Sequence, residues 1–338
     1  MKLYAAIDLH SNNNVLAVID EQDRVLFDRR LPNELPAVLR ALEPFREDLV
    51  GVAVESTYNW YWLVDGLMAH GIVTRLVHTS AVPQYAGLKH GDDHSDARHL
   101  ARLMRLGILP QGYIYPREQR ALRDLLRRRF DLVHQATHLM QVAQCVWTRR
   151  VGSGLNANLF RKLDESTIRA HIADPVERLA LQTQLEGWRS LQIQIKRIER
   201  VVAEELRLSP AIDALRTIPG VGAILSATIA LETGEIARFA DVGDYASYCR
   251  MVESRRVSNG KTKGRGNAKC GNRYLCWAFV EAANLSKRFC PEIQRWHDRK
   301  LRVSKKIIAI KATAHKLARA SFFLMRDGGS FDARRAFG

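Results

Sequence analysis

The chain has 338 residues, with 52 lysines and arginines against 36 aspartates and glutamates, so its formal net charge is +16. Its 46% hydrophobic content, with 6 Trp, 11 Phe and 9 Tyr, excludes a disordered basic tail, because disorder requires low hydrophobicity. The length allows about two domains with cores of their own. No run approaches the roughly 20 apolar residues of a membrane helix, and the five cysteines include no C-x-x-C pair. We expect a soluble, cytoplasmic protein without a disulfide framework or a zinc site.

The positive charge is concentrated in parts of the chain. Residues 1–100 carry a net charge of −5 and residues 151–208 carry +1, whereas residues 101–150 carry +7 and residues 209–338 carry +13. A basic C-terminal third favours binding to a polyanion, and an acidic N-terminal third concentrates carboxylates. The alternative is a basic surface that only keeps the protein soluble.

The first 80 residues alternate between short apolar runs and helical patterns. Residues 3–7, 15–19 and 25–27 predict three hairpin-connected strands. Residues 49–54 and 72–77 predict two more strands, each preceded by a helix. The result is a mixed α/β domain. Its order is typical of a ribonuclease H-like sheet and also opens actin-like ATPase folds.

From residue 96 onward the patterns are helical. A long helix is predicted to about residue 150, and a second helix after residue 175 carries apolar side chains at steps of three and four. The pair predicts an antiparallel coiled-coil arm that holds a second subunit or RNA, with an ordinary pair of bundle helices as the alternative. We therefore divide the chain into 1–115, 116–208 and 209–338, where the last part is mostly helical. A basic cluster on the first long helix is a candidate nucleic-acid contact: Arg127, Arg128 and Arg129.

Four acidic residues occupy positions where they can converge. Asp8 and Glu55 end predicted neighbouring strands, and Asp93 and Asp96 are spaced i, i+3 at a predicted helix start. Clustered carboxylates repel unless hard cations neutralise them, and paired Mg²⁺ ions drive phosphodiester chemistry. The alternative is a structural role, as for Asp92, whose position suits a helix cap.

Residues 218–222, Ile-Pro-Gly-Val-Gly, resemble a helix-hairpin-helix turn. Gly220 and Gly222 allow backbone N–H groups to hold a DNA phosphate at a helix N-terminus. Any tight turn between helices is the alternative.

A glycine-rich segment follows at residues 258–273 and begins with Ser258. It is not a phosphate-binding loop, because its glycines are spaced too widely. A hydroxyl among cations can attack a phosphodiester, since the cations stabilise the developing charge; the alternative is a turn serine. The segment carries five basic candidates for nucleic-acid binding: Lys261, Lys263, Arg265, Lys269 and Arg273.

Together these segments resemble the DEDD-type insertion-sequence transposases, a family that includes the bridge-RNA-guided (seekRNA-guided) serine recombinases. The resemblance is carried, in chain order, by residues 6–8, 54–57, 93–98, 218–222 and 258–272.

The resemblance implies a RuvC-type N-terminal domain that binds two Mg²⁺ ions through four acids: Asp8, Glu55, Asp93 and Asp96. It implies that Ser258 forms a covalent phosphoserine link to DNA, in a reaction centre assembled from different subunits of a dimer or tetramer. It also implies a structured guide RNA from the element's own non-coding end, which pairs with donor and target DNA.

Alternatives stay open for the nucleophile and for the function. Family members often carry Ser-Gly at the nucleophile, whereas this chain has Ser258-Asn259, with Ser254 upstream. We favour Ser258 because it adjoins the glycine-basic run. The other functions are a metal-dependent Holliday-junction resolvase-like nuclease that uses water, and a non-catalytic nucleic-acid-binding protein.

Overall fold

The computed structural model of the chain describes residues 1–82, 92–206, 209–253, 255–265 and 270–338. They form two compact units, Met1–Arg117 and Glu118–Gly338. In these described ranges, no helix combines the length and the apolar character that a membrane crossing requires. The further division of the second unit into an arm and a C-terminal domain stays a prediction.

The first unit is built on a five-stranded mixed sheet. Its elements are β1 (Leu3–Leu9), β2 (Asn13–Ile19), β3 (Val25–Pro32), α1 (Leu35–Leu42), β4 (Leu49–Glu55), α2 (Tyr61–Ala69), β5 (Thr74–Val77) and α3 (Asp93–Arg105). The strand order is β3-β2-β1-β4-β5, in which β2 is antiparallel to β1 and β3, and β4 is parallel to β1 and β5. Short links allow the hairpins, whereas the parallel strands need the crossovers that contain α1 and α2. All five predicted strands are confirmed.

The two faces of this sheet are covered by different helices. Ile7 of β1 packs in the cluster formed with α1 and α2, whereas Ala6 of β1 and Ala53 of β4 pack with α3. Successive side chains of a strand point to opposite faces, so Asp8 and Glu55 lie on the α3 face. Small alanine side chains let α3 lie close to the sheet there.

The second unit is mostly helical. Its first helices are α4 (Arg117–Val151), α5 (Ala157–Lys162), α6 (Glu165–His171), α7 (Pro175–Glu205), α8 (Pro210–Arg216), α9 (Ala223–Thr233) and α10 (Val242–Tyr248). A small hairpin and the C-terminal helices follow: β6 (Arg255–Ser258), β7 (Lys261–Arg265), α11 (Arg273–Phe289), α12 (Pro291–Arg302), α13 (Lys306–Asp327) and α14 (Ala333–Phe337).

The two long helices α4 and α7 pack against each other in antiparallel directions. Leu132 and Ile195 meet near the middle, and Trp147 and Leu181 belong to one cluster further along α4. At the opposite end, Val202 packs with a residue of α9. The predicted apolar stripe of α7 is therefore covered within one chain, as in the bundle alternative. Its role in holding a second subunit or RNA stays a prediction.

Helix α13 runs through the C-terminal core. Leu317 on α13 shares a buried cluster with Leu215 of α8, Tyr245 of α10 and Phe279 of α11. The Tyr245 ring is completely buried, and its hydroxyl lies 3.0 Å from Thr233 Oγ1 of α9. This partner satisfies the one polar atom of an otherwise apolar side chain.

The turn between α8 and α9 contains two glycines that differ in how well they could accept a side chain. Gly220 has a φ of +83°, and an added Cβ would lie 2.9 Å from Leu285 Cβ and 3.0 Å from the Ser286 backbone nitrogen. We expect Gly220→Ala to lower the free energy of unfolding by about 2–3 kcal/mol, because the backbone is strained and α11 must move.

The matched control is Gly222→Ala. Gly222 has a φ of −86°, and an added Cβ would meet nothing within 4 Å. We expect a loss below about 1 kcal/mol in the same urea titration, as for exchanges at a helix N-cap. Equal losses in the two variants would contradict this description of the turn.

Candidate active site

The carboxyl ends of β1 and β4 bring two of the predicted acids together. Ile7 is in register with Val54 on the neighbouring parallel strand, so Asp8 and Glu55 follow at adjacent positions. Asp8 is only 4% exposed, and its side chain shares a hydrogen bond with Glu55. Two carboxyls can share such a bond only when one of them carries a proton.

The first turn of α3 supplies the other two acids. Asp92 is the N-cap: its Oδ1 accepts from the Ser95 backbone nitrogen at 2.7 Å, and its own backbone nitrogen donates to Ser95 Oγ at 2.8 Å. The capping alternative for Asp92 is thereby confirmed. The cap fixes where the helix starts, and Asp93 and Asp96 follow on its first turn facing the strand ends.

The pKa values express the crowding of these carboxylates. Burial, the hydrogen bond with Asp8, and repulsion from Asp8 and Asp96 raise the pKa of Glu55 to about 8. Burial and repulsion from Asp8 and Asp93 also raise the pKa of Asp96. In contrast, the hydrogen bond from Arg30 and the charge of His10 lower the pKa of Asp93, although burial opposes them. The predicted tetrad therefore lies in one electrostatically coupled cluster.

The cluster contains a fifth group that the sequence analysis missed. His10 Nε2 lies 3.4 Å from Asp8 Oδ2 and 3.2 Å from Asp93 Oδ2. The backbone carbonyl of His10 accepts hydrogen bonds from Asn33 Nδ2 at 3.0 Å and Asn59 Nδ2 at 2.9 Å. The Asp8-x-His10 spacing was the available signal, because alternate residues at the end of a strand share one face.

One cation from the same unit partly balances the acids. Arg30 on β3 donates from Nη2 to Asp93 Oδ2 at 2.5 Å. Nearby, Asp28 of β3 bonds to His94 and accepts from Arg98 Nη1 at 3.0 Å, which fastens α3 to the sheet. The arginine leaves an excess of negative charge over the four predicted acids.

These residues fit a divalent metal ion. Carboxylate oxygens are the ligands that hard divalent cations prefer, and a cation would reduce the repulsion that, after burial, raises the pKa of Glu55. Asp8, His10 and Asp93 each place one ligand atom within 4.8 Å of the others. The raised pKa of Glu55 describes the protein without metal.

The hairpin of the second unit places Ser258 at a turn. Asn259 and Gly260 have φ angles of +50° and +70°, and Ser258 pairs with Lys261 across them. Two left-handed residues are characteristic of a type I′ hairpin, for which Asn-Gly is the strongest sequence signal. The sequence analysis missed this hairpin. Ser258, Lys261 and Lys263 are exposed.

The predicted basic residues have different surroundings. Arg128 is exposed, whereas Arg129 Nη2 is paired with Glu199 Oε1 at 2.6 Å. Arg273 is exposed and donates to the Tyr274 hydroxyl at 2.7 Å. Arg265 ends β7, and Lys269 lies outside the described residues, as does Ser254. Nucleic-acid binding by these residues stays a prediction.

Arg127 has a buried partner that was not predicted. Its Nε and Nη2 atoms donate to the carboxylate of Glu232 at 2.5 and 2.8 Å, and Arg123 Nε donates to it at 3.2 Å. Asn272 Nδ2 donates to it at 2.7 Å, while Asn272 Oδ1 accepts from the backbone nitrogen of Tyr274 at the start of α11. Burial raises the pKa of Glu232, but the arginines outweigh this and lower it.

The C-terminal helices carry a basic surface that was also missed. A cavity of about 460 Å³ beside α13 and α14 is lined in part by Lys316, Arg319, Arg326 and Arg335. Arg319 and Arg335 are exposed, whereas Arg326 is paired with Asp327 at 2.7 Å. The charge of +13 over residues 209–338 was the only signal for it, and that signal did not give positions.

Two family models match separate parts of the chain. Residues 5–146 match a model of IS110-type DEDD transposases described as "Transposase", and residues 212–298 match one described as "Transposase IS116/IS110/IS902 family". Together the matches cover roughly two thirds of the chain.

Curated relatives agree with these matches. The chain is 30% identical to y4qE of Sinorhizobium fredii, which bears a transposase name, over 70% of this chain and 57% of that protein. It is 22% identical to a 44.8 kDa protein of insertion element IS116 from Streptomyces clavuligerus, over 84% of each chain. It is 25% identical to the transposase for insertion sequence element IS1328 from Yersinia enterocolitica, over 41% of this chain and 42% of the relative. The chain thus spans little more than half the length of the first of these relatives.

Residues 5–146, which include the acid cluster and its mixed sheet, match the DEDD class of transposases. The second match, over residues 212–298, gives the family within this class. The chain belongs to the IS110/IS116 family of transposases.

The raised pKa of Glu55 predicts a pH-dependent stability. Between about pH 5 and pH 8, the folded chain without metal holds a proton at Glu55 that the unfolded chain has released, so stability falls as the pH rises. After allowance for solvent screening, we expect a loss of about 1–2 kcal/mol across this window in urea unfolding with a chelator present.

Glu55→Gln is the control for this pH dependence. Its amide can donate a hydrogen bond to Asp8 at every pH. The variant should therefore lose the fall in unfolding free energy with pH that Glu55 causes, and it should be more stable than the natural chain at pH 8. An unchanged slope in Glu55→Gln would assign the pH dependence to other groups.

The buried carboxylate of Glu232 predicts a large loss of stability on truncation. Glu232→Ala removes the carboxylate that pairs with the 7%-exposed side chain of Arg123 and with Arg127. We expect the free energy of unfolding to fall by about 3–5 kcal/mol. Glu199→Ala, which removes the more exposed partner of Arg129, should cost about 0–1 kcal/mol in the same denaturant titration. Similar losses in both variants would contradict the buried pairing.

Proposed function

We propose that the chain is an RNA-guided DNA transposase or recombinase of an insertion sequence, which cleaves and exchanges DNA strands with Mg²⁺ and forms a covalent phosphoserine intermediate. The observation that carries the proposal is the crowding of the four acids where β1, β4 and α3 meet: Asp8, Glu55, Asp93 and Asp96. Perturbed pKa values of this kind are typical of functional sites.

The topology supports a RuvC-type, ribonuclease H-like interpretation of the first unit. Three antiparallel strands followed by two parallel strands give the order β3-β2-β1-β4-β5. In α/β sheets, ligands bind at the carboxyl ends of strands, where Asp8 and Glu55 lie. The actin-like alternative lacks a matching second phosphate loop in the sequence.

The four acids are proposed to hold two Mg²⁺ ions, which when bound would polarise a scissile phosphate and stabilise its developing charge. Asp8 and Glu55 supply ligand atoms from rigid strands, and Asp93 and Asp96 supply them from a capped helix turn. Rigid elements hold such groups more precisely than loops. The acids of one reaction centre and Ser258 are proposed to come from different subunits of a homo-oligomer.

Ser258 is proposed as the nucleophile. Its oxygen bonds to phosphorus while the deoxyribose oxygen leaves with a proton, so the number of phosphoester bonds is conserved and the strand can be rejoined to a new partner. Ser258 is exposed, and its cross-strand neighbour Lys261 is exposed too. The ammonium of Lys261 is proposed to stabilise negative charge on the phosphate.

Nucleic-acid binding is proposed for the basic surfaces of the second unit. Exposed basic side chains include Arg128, Lys261, Lys263, Arg319 and Arg335. Gly222 opens α9 after a tight turn and leaves room for a phosphate at that helix start, in keeping with a helix-hairpin-helix contact. Contacts of this type do not read bases, so sequence choice is proposed to reside in a guide RNA.

The test is strand exchange by purified protein with donor DNA, target DNA, Mg²⁺ and RNA transcribed from the element's non-coding end. We expect Asp8→Asn and Ser258→Ala each to reduce product by at least about 10³-fold. The matched control is Asp92→Asn, which keeps an N-cap next to the tetrad and should stay within about threefold of the natural chain.

Denaturing gels of the same reactions distinguish the mechanisms. A protein–DNA band that Ser258→Ala abolishes supports the serine nucleophile, whereas a band that persists in this variant assigns the nucleophile elsewhere. Cleavage without any band would favour the water-using nuclease. Activity that survives Asp8→Asn would overturn the role of the acids.

A further inference from the structure

His10 lies at the mouth of the acid cluster and has no role in the function proposed above. Its Nε2 atom is 3.4 Å from Asp8 Oδ2 and 3.2 Å from Asp93 Oδ2. These three atoms form the candidate metal-holding group in the described residues. We infer that His10 Nε2 is a direct ligand of the metal held by Asp8 and Asp93, and that the site consequently prefers Mn²⁺ to Mg²⁺. The inference rests on the proposed metal-dependent function.

The surroundings of His10 Nε2 favour a ligand role over a structural one. The atom is buried, and its contacts with the two nearby carboxylates are ionic and lack the geometry of a hydrogen bond. A buried nitrogen without a directed hydrogen bond carries a desolvation cost, which a metal bond would remove. It is therefore the kind of atom for which an ion is the natural partner.

The backbone holds His10 in this position. Asn33 and Asn59 both donate to its carbonyl oxygen, and Asn59 Oδ1 in turn accepts from Thr57 Oγ1 at 2.8 Å. Two other segments of the first unit thereby fix the backbone of a residue just beyond the end of β1. A fixed backbone limits the positions that the imidazole ring can reach, which include the contacts with Asp8 and Asp93.

The spacing of the three atoms agrees with coordination. Metal–ligand bonds of about 2.1 Å place neighbouring corners of an octahedron roughly 3 Å apart. The separations of 3.2 and 3.4 Å need only a small contraction to reach that value. Arg30 also contacts Asp93 Oδ2, so an ion bound to this oxygen would replace the guanidinium there.

The nitrogen donor determines which cation the site favours. Mg²⁺ selects oxygen ligands and gives up its water reluctantly, whereas imidazole suits first-row transition metals. Mn²⁺ also binds carboxylates, and sites with mixed nitrogen and oxygen ligands bind Mn²⁺ more tightly than Mg²⁺. Four carboxylates with one imidazole therefore describe a Mn²⁺ site that Mg²⁺ can also occupy.

The test is pulsed electron paramagnetic resonance on the full-length chain with Mn²⁺ alone. We expect modulation from a directly bound ¹⁴N nucleus, which is lost in His10→Asn. Mn²⁺ affinity, measured from metal-dependent melting, should fall at least about tenfold in this variant, and Mg²⁺ affinity should fall less than about threefold. The control is His99→Asn, since His99 lies one turn after Asp96 and its charge acts on that acid.

Isotope labelling of the natural chain gives a second test, which does not depend on whether His10→Asn folds. Incorporation of ¹⁵N-histidine into the natural chain should replace the ¹⁴N modulation by that of ¹⁵N without any substitution. Bound Mn²⁺ with no nitrogen modulation, or a modulation that His99→Asn removes, would overturn the inference and leave the carboxylate site intact. Mn²⁺ binding that is absent, or that Asp8→Asn does not weaken, would instead count against the proposed function itself.

Discussion

The first unit holds four carboxyl groups close together at one end of its sheet. Burial raises the pKa of Glu55 to about 8, together with the hydrogen bond with Asp8 and the repulsion from Asp8 and Asp96, so ionising all the acids together is unfavourable. A fold gains no stability from such an arrangement without a cation. Its persistence in a well-packed unit is the physical reason to regard these residues as functional.

Several ordinary packing features maintain this unfavourable cluster. Ala6 and Ala53 leave space on the sheet for α3, and the capping box of Asp92 and Ser95 fixes the turn from which the last two acids project. Asp28 ties α3 to β3 through Arg98. The cost of placing the acids together is thus met by apolar burial and hydrogen bonds next to the site, which do not involve the acids themselves.

The sequence predicted what is local and periodic, and it missed what depends on distant pairing. Alternation along the strands and the i, i+3 spacing in α3 were sufficient to group the acids. Arg127 appeared to be a surface cation because its partner Glu232 is 105 residues away. His10 and the Asn259-Gly260 turn did have local signals, namely strand-end alternation and a type I′ dipeptide, and these were not used.

The buried Glu232 and the partly buried Glu55 have opposite electrostatic surroundings. Glu232 is enclosed by Arg123 and Arg127, which lower its pKa, so its charge is balanced within the fold. Glu55 is surrounded by other acids, its pKa is raised, and Arg30 contacts only Asp93 nearby. The first arrangement is complete and stabilises the packing of α4 on α9. The second has less positive than negative charge, and a bound cation would balance it.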